Sequence, residues 1–305
     1  MATADYHPRV AGQPWTTDFR IYLEGDQNHE LVSPWHDVPL YTDGGKAGQV
    51  VNMVVEIPRF GNAKMEIAKD EFLTPIKQDV KKGQLRYVPN IFPYKGYAWN
   101  YGAFPQTWED PSHIDPDTQA PGDDDPLDVC EIGRDVGFTG QVKPVKVLGA
   151  LAILDQGETD WKVIAIDVTD PLAEKLEHIA DVDRHMPGFL DSMKYWFSVY
   201  KVPEGKPENS VALGGEVRGE EFAISLINDC HEAWKTIVYN EGNPPHKDSL
   251  KDIGVVEHRD LTHRISQTPP VDTKSLQPPD KVKTDRSFFL PSYHRDVGWN
   301  VAMYG

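Results

Sequence analysis

Four carboxylates are crowded into one short segment of this chain, GDDDPLD, which begins at Gly122. Two unit charges about 4 Å apart repel by roughly 1 kcal/mol in water and by several times more in a partly buried cleft. A divalent cation cancels such repulsion, and Mg²⁺ prefers oxygen ligands while it retains several waters. For this segment alone, a magnesium site and a solvated acidic loop are equally good interpretations. A calcium EF-hand is excluded, because its spacing would place Asp128 where glycine is needed and Arg134 where a bidentate glutamate is needed.

A second acidic segment follows with the sequence DQGETDWK, which starts at Asp155. Asp155 ends one apolar run and Asp160 opens the next, so a hairpin between them would place both carboxylates near one rim of a barrel. Asp160 and Lys162 are two apart in a strand and therefore face the same side, and Lys64 and Glu66 repeat this arrangement. Each pair alone is most simply a salt bridge. Two pairs together with the aspartate cluster favour a site that holds metal and phosphate.

Residues suited to binding an anion form a third group. The segment KKGQLR, which ends at Arg86, is basic in an otherwise acidic chain. A guanidinium presents a planar fork that matches phosphate oxygens. The hydroxyls of Tyr97 and Tyr101 could donate to a phosphate or to an aspartate, although clustered aromatic residues also suit the packing of a barrel rim. Tyr200 and Lys201 form a further candidate pair.

The elements that must position these residues are mainly strands. From about residue 19 to 168, short apolar or alternating runs are separated by Gly, Pro, Asp and Asn, which predicts many short strands with frequent turns. The absence of alternating helices favours a closed barrel or a sandwich over a parallel α/β sheet. Two helices are predicted next, at about 189–200 and 217–239, with apolar stripes that belong to the core. Residues 1–260 are predicted to form one domain, and residues 261–305, rich in Pro, Thr, Ser and Lys, an extended tail that is draped over it or partly disordered.

The acidic composition of the chain limits the kinds of molecule that it can bind. The 305 residues include 48 acidic and 31 basic side chains, for a formal net charge of −17. Such a chain repels nucleic acid and anionic membranes, because affinity for phosphate backbones comes mainly from Lys and Arg. We see no secretory or transit segment and no membrane span, and the two cysteines lie far apart. The simplest expectation is a cytoplasmic protein with reduced thiols.

Taken together, these segments resemble the soluble family I inorganic pyrophosphatases, and among them the longer eukaryotic type. The core Asp123-Asp124-Asp125-Pro126-Leu127-Asp128 matches the signature of that family. Further stretches typical of the family begin at Asn52 (NMVVEIPR), Tyr101 (YGAFPQTWEDP), Asp155 (DQGETDWK) and Lys206 (KPEN). The resemblance runs nearly continuously from about residue 22 to 234. It implies a mainly β (α+β) fold, with a five-stranded OB-type barrel, two packed C-terminal helices and an extended tail, assembled as a homodimer.

The resemblance also implies a role for each matching residue. The metal ligands would be Glu56, Glu66, Asp123, Asp128, Asp155 and Asp160; Asp123, Asp128 and Asp160 would hold the tightest ion. Substrate would be bound by Lys64, Arg86, Tyr97, Tyr101, Lys162, Tyr200 and Lys201, with the leaving phosphate on Arg86, Tyr200 and Lys201. Asp125 would be the general base, and Lys64, Arg86 and Tyr101 would share in catalysis. Asp124 stands where many relatives have a neutral residue, which could tune metal affinity.

The implied reaction is hydrolysis of pyrophosphate to two phosphates, with several Mg²⁺ ions in each active site. Two metals that bridge one water lower its pKa and clamp the attacking and leaving oxygens in line. Direct in-line attack by metal-bridged hydroxide then needs no covalent intermediate. Mn²⁺ or Zn²⁺ could substitute for Mg²⁺, whereas the looser coordination of Ca²⁺ predicts inhibition.

Four alternative functions fit the sequence less well. A phosphohydrolase acting on polyphosphate or a nucleotide would need an extended basic groove or an organic pocket, and the sequence offers no segment for either beyond the basic set above. A catalytically silent OB module would be expected to lose Asp125, Arg86 or the metal aspartates, and all of them are present. An OB-fold nucleic-acid binder is disfavoured by the charge of −17. The unrelated pyrophosphatases with His-rich Mn²⁺ sites are excluded, because the chain has no Asp-His-His motif.

Overall fold

A computed structural model describes residues 6–26, 29–42, 49–239 and 284–290. The strands within these residues are β1 (Tyr6–Ala11), β2 (Arg20–Gly25), β3 (Leu31–Val32), β4 (Val50–Ile57), β5 (Met65–Ile67), β6 (Ile76–Gln78), β7 (Val80–Lys81), β8 (Gln84–Leu85), β9 (Asn90–Ile91), β10 (Asn100–Ala103), β11 (Asp128–Glu131), β12 (Val142–Asp155), β13 (Glu158–Asp167), β14 (Ser210–Val211), β15 (Arg218–Gly219) and β16 (Ser287–Phe288). The α-helices are α1 (Ile179–His185), α2 (Phe189–Val199) and α3 (Glu220–Tyr239), and short 3₁₀ helices span Val202–Glu204 and Leu213–Gly215.

Five strands close into a ring. Strand β4 pairs with β10, β10 with β11, β11 with β13, β13 with β12, and β12 returns to β4. All of these pairs are antiparallel except β11–β13, which is parallel. Closure leaves no free sheet edge among these strands. The five-stranded OB-type barrel expected from the resemblance is therefore confirmed.

The barrel strands bury both of their faces, which explains why their sequences are so uniformly apolar. Along β12, Val145, Val147 and Ala150 pack in one cluster with residues of α3, whereas Leu148 and Leu151 pack in the other with the aromatic residues of α2. The alternation follows the period of two in a strand, interrupted by the irregularity in register between Val147 and Gly149. The barrel strand β12 thus packs against α3 on one face and against α2 on the other.

The helices differ from the prediction in two respects. Helix α1 was not predicted; Asp181 in its first turn accepts hydrogen bonds from the backbone N–H groups of Glu177 and His178, at 3.0 and 2.9 Å. Helix α3 begins at Glu220 rather than near 217, because Arg218 and Gly219 pair with β12 as strand β15. None of the described helices is both long and apolar enough to cross a lipid bilayer.

Of the predicted tail, only residues 284–290 are described. Strand β16 pairs in parallel with β9, and the side-chain amide of Asn90 donates to the carbonyl oxygen of Thr284 at 2.7 Å. This segment is extended and packed on the domain. The predicted boundary near residue 260 lies outside the described residues.

Candidate active site

Five of the predicted site residues line one cleft with a volume of about 820 Å³: Glu56, Lys64, Glu66, Asp125 and Asp128. Asp128 connects this cleft to the other predicted residues, because its carboxylate is contacted by Tyr101 and Lys162. Strand register explains the convergence: Asp128 of β11 lies opposite both Lys162 of β13 and Ala103 of β10. The tight turn between β12 and β13 returns the chain at Gln156 and Gly157, both with positive φ, and this brings Asp155 and Asp160 to the same end of the hairpin, as predicted.

Three carboxylates form the densest acidic cluster of the described residues. Glu109, Asp123 and Asp160 each contribute an oxygen, and these oxygens all lie within 4.8 Å of one another. Burial raises the pKa of Asp160 to about 7; Asp128 adds to this and Lys162 opposes it. Burial, followed by the neighbouring carboxylates, also raises the pKa values of Glu109 and Asp123.

The chemistry of this cluster fits a hard divalent cation. Among the described residues, none donates a hydrogen bond to Oε2 of Glu109 or to Oδ1 of Asp155, although both oxygens are buried. Buried carboxylate oxygens without donors are costly unless a cation contacts them. Mg²⁺ takes such oxygens as ligands. Glu109 was not among the predicted ligands, although the sequence motif that contains it was recognised.

Lys162 lies between two of the predicted metal ligands. Its ammonium group contacts the carboxylates of Asp128 and Asp160, and it donates to the hydroxyl of Tyr101 at 3.2 Å. The Tyr101 hydroxyl in turn donates to Asp128. Burial lowers the pKa of Lys162, but Asp128 and Asp160 more than offset this and leave it raised. The predicted same-face placement of Asp160 and Lys162 is confirmed.

Asp125 stands at the mouth of the cleft with 57% of its side chain exposed. The ammonium nitrogen of Lys69 lies 2.6 Å from Oδ1 of Asp125 and 3.3 Å from Oδ2 of Asp124. Asp124 adopts a φ of 70°, a left-handed conformation that aspartate tolerates better than most residues, and Trp108 donates to its Oδ1 at 2.9 Å. The aspartate loop is therefore held from two sides. Sequence reasoning missed Lys69, which lies far from the loop along the chain.

A second cation–carboxylate pair, Lys64 and Glu66, also lines the cleft. The ammonium nitrogen of Lys64 lies 3.6 Å from Oε2 of Glu66, which confirms their predicted common face. Glu56, which is 4% exposed, accepts a hydrogen bond at 2.8 Å from the backbone N–H of Ile67. Burial raises the pKa of Glu56 to about 8, against the lowering effect of Lys64.

The other residues expected to bind phosphate are held by ion pairs and ring contacts. Arg86 is paired with Asp79 at 3.1 Å and with Glu204 at 3.5 Å, two partners that the sequence did not predict. Lys201 pairs with Asp155. The remaining tyrosines pack on aromatic rings: Tyr97 lies 4.7 Å from Tyr101 and Tyr200 lies 4.9 Å from Trp196, between ring centroids.

Comparison with known proteins adds an independent line of observation. The family model described as inorganic pyrophosphatase matches residues 53–235. An inorganic pyrophosphatase of Neurospora crassa is 50% identical over 289 residues, which cover 94% of this chain and 98% of that protein. The structure of inorganic pyrophosphatase from Schistosoma japonicum is similar with a TM-score of 0.80 and 45% identity, over 94% of this chain and 100% of that one. A truncated vacuolar soluble pyrophosphatase of Trypanosoma cruzi, solved in complex with PPi, is similar with a TM-score of 0.70 and 38% identity, over 76% and 91% of the two chains.

Proposed function

This chain belongs to the inorganic pyrophosphatase family, and we propose that it hydrolyses pyrophosphate to two phosphates in a reaction that requires Mg²⁺. The observation that carries the Mg²⁺ requirement is the buried cluster of Glu109, Asp123 and Asp160. Three carboxylates this close together repel one another, and the pKa values of Glu109 and Asp123 are strongly raised. A bound divalent cation would remove this repulsion.

The carboxylates of the cleft would hold the metal ions. We assign this role to the cluster and to the predicted ligands around it, Glu56, Glu66, Asp128 and Asp155. When bound, Mg²⁺ would neutralise the charge of pyrophosphate and lower the pKa of water in the cleft. The Tyr101–Asp128–Lys162 contacts keep one ligand oriented before the ion binds.

Asp125 is the residue that we propose as the general base. Its carboxylate is exposed to the cleft and is held by Lys69, so it can accept the proton of an attacking water without moving. Lys64, Lys162, Arg86, Tyr97, Tyr101, Tyr200 and Lys201 would bind the phosphate oxygens and neutralise the charge that develops on the leaving phosphate.

Direct attack by water is favoured over a covalent route, because the described residues offer no activated nucleophile. Both cysteines are buried, and burial raises the pKa of Cys130 and of Cys230, so neither is a ready thiolate. Phosphoryl transfer is accelerated mainly by positioning and charge neutralisation, which this cleft supplies.

Phosphate release from pyrophosphate tests the proposed function. We expect rapid release from pyrophosphate with Mg²⁺ and much slower release from ATP, because the site offers cations such as Lys64, Arg86 and Lys201, which bind phosphate oxygens and do not recognise a base. Comparable turnover of ATP under the same conditions would contradict the assignment of the substrate.

We also propose the homodimer that the resemblance implies. The exposed phenylalanines support it: Phe60, Phe92 and Phe289 are 52%, 48% and 75% exposed, and the rings of Phe92 and Phe289 stack at 5.1 Å. Exposed aromatic clusters mark contact surfaces. Light scattering should give twice the chain mass of 34.4 kDa, and Phe289→Ser should weaken the dimer; a single-chain mass for the unaltered protein would contradict the proposal.

A further inference from the structure

A basic groove adjoins the catalytic cleft in this otherwise acidic chain. It has a volume of about 560 Å³, and its charged lining consists of Lys81, Lys82, Arg86, Arg286 and one acid, Glu204. The sequence alone predicted no extended basic groove, because Arg286 lies far along the chain from the KKGQLR segment. We propose that this groove binds the additional phosphates of a linear inorganic oligophosphate of three or more units.

Arg86 connects the groove to the catalytic cleft. It lines the groove, and it pairs with Asp79, which lines the cleft. Among the described residues, none accepts a hydrogen bond from Nε of Arg86, although this atom is buried. A guanidinium has five N–H donors, so Arg86 can contact a phosphate in the cleft and still offer a donor to the next phosphate along.

The other cations of the groove have spare charge. Glu204 is shared between Lys81, at 2.7 Å, and Arg86, at 3.5 Å. Lys82 lies in the turn between β7 and β8 with a φ of 54°, and the ion pairs of the described residues do not include it. Two carboxylates, Glu204 and the Asp79 that pairs with Arg86, therefore face four cations, and an anion of several charges would neutralise this excess of positive charge.

The C-terminal segment brings the fourth cation. Strand β16 is anchored to β9, and the backbone N–H of Phe92 donates to the carbonyl oxygen of Phe288 at 3.0 Å. The guanidinium of Arg286 lies 4.7 Å from the ring centroid of Phe288, and no carboxylate of the described residues pairs with it. Because Arg286 is already held by these contacts, it would lose little conformational entropy when it binds a ligand.

The inference rests on the proposed function in one respect: the oligophosphate is expected to place its terminal units in the catalytic cleft. Tripolyphosphate should therefore compete with pyrophosphate. In the double variant Lys82→Ala/Arg286→Ala, we expect the inhibition constant of tripolyphosphate to rise by at least about tenfold while the KM of pyrophosphate changes less than twofold. The matched control is Lys175→Ala/Arg134→Ala, which removes the same charge from exposed side chains elsewhere.

Three results would overturn the proposal. One is an unchanged inhibition constant in the double variant, and another is an equal rise in the inhibition constant and in KM. The third is ATP binding more than tenfold tighter than tripolyphosphate, which would assign the groove to a nucleotide. Calorimetric binding of tripolyphosphate to the unaltered protein and to both variants needs no turnover, so it tests the groove even if pyrophosphate is not hydrolysed.

Discussion

Replacing Asp125 by asparagine is expected to lower kcat for pyrophosphate by about 10²–10⁴-fold, while the affinity for Mg²⁺ changes by less than about threefold. Asparagine keeps the shape of the side chain and an oxygen that can accept from Lys69, which lies 2.6 Å from Oδ1 of Asp125. It cannot accept a proton from water. The loss should therefore fall on the chemical step, and titration calorimetry with Mg²⁺ should register little change.

Asp135→Asn is the control for this experiment, because it removes the same charge from a side chain that is 85% exposed and lies outside the cleft. It should leave kcat and Mg²⁺ affinity close to those of the unaltered protein. If Asp125→Asn loses kcat and Mg²⁺ affinity in equal measure, Asp125 is a metal ligand and another group is the base.

Asp160→Asn is expected to weaken Mg²⁺ binding by about 100-fold or more and to remove most of the turnover at moderate Mg²⁺ concentrations. Loss of groups that only support a metal ligand costs about 10–100-fold, so loss of a ligand should cost at least as much. Asp160 is 6% exposed and shares a site with two other carboxylates, so no solvent-exposed group can replace it readily.

The pH dependence of binding separates this explanation from general damage. Because burial raises the pKa of Asp160 to about 7, its carboxyl group is largely protonated at pH 6 in the metal-free protein, and Mg²⁺ must displace that proton. Mg²⁺ affinity of the unaltered protein should therefore fall as the pH is lowered from 8 to 6. Calorimetry should show a weaker dependence in Asp160→Asn, and a dependence as steep as in the unaltered protein would remove Asp160 from the site.

Local patterns sufficed to predict the strands and the pairs of residues on one strand face, but they left a barrel and a sandwich open, and the family resemblance chose the barrel. Alternation and turn residues identified the strands, and a spacing of two placed Asp160 with Lys162 and Lys64 with Glu66, as found. The short helix α1 was missed, since seven residues carry too little helical periodicity to detect. The start of α3 was misplaced, because pairing of Arg218 and Gly219 with β12 is a tertiary contact that no local pattern records.

The residues missed at the site share a different cause. Glu109 and Lys69 reach the aspartate cluster from segments other than the acidic and basic ones on which the prediction was based. Only the folded chain brings Glu109 to Asp123 and Asp160, and Lys69 to Asp125. Arg286 was missed for the same reason: it reaches the basic groove only because β16 pairs with β9. The prediction was incomplete because contacts between distant segments cannot be read from the sequence, although the chemistry of each residue type can.

We expect the acidic cleft to hydrolyse pyrophosphate only when it holds a divalent cation. The most direct test is the rate of phosphate release from pyrophosphate by the purified protein, measured with Mg²⁺ and then after chelation with EDTA. We predict rapid release with Mg²⁺, its loss on chelation and its return when Mg²⁺ is added in excess. Equal rates with and without the metal would contradict the metal requirement, and no release from a folded protein that binds Mg²⁺ would contradict the proposed hydrolysis.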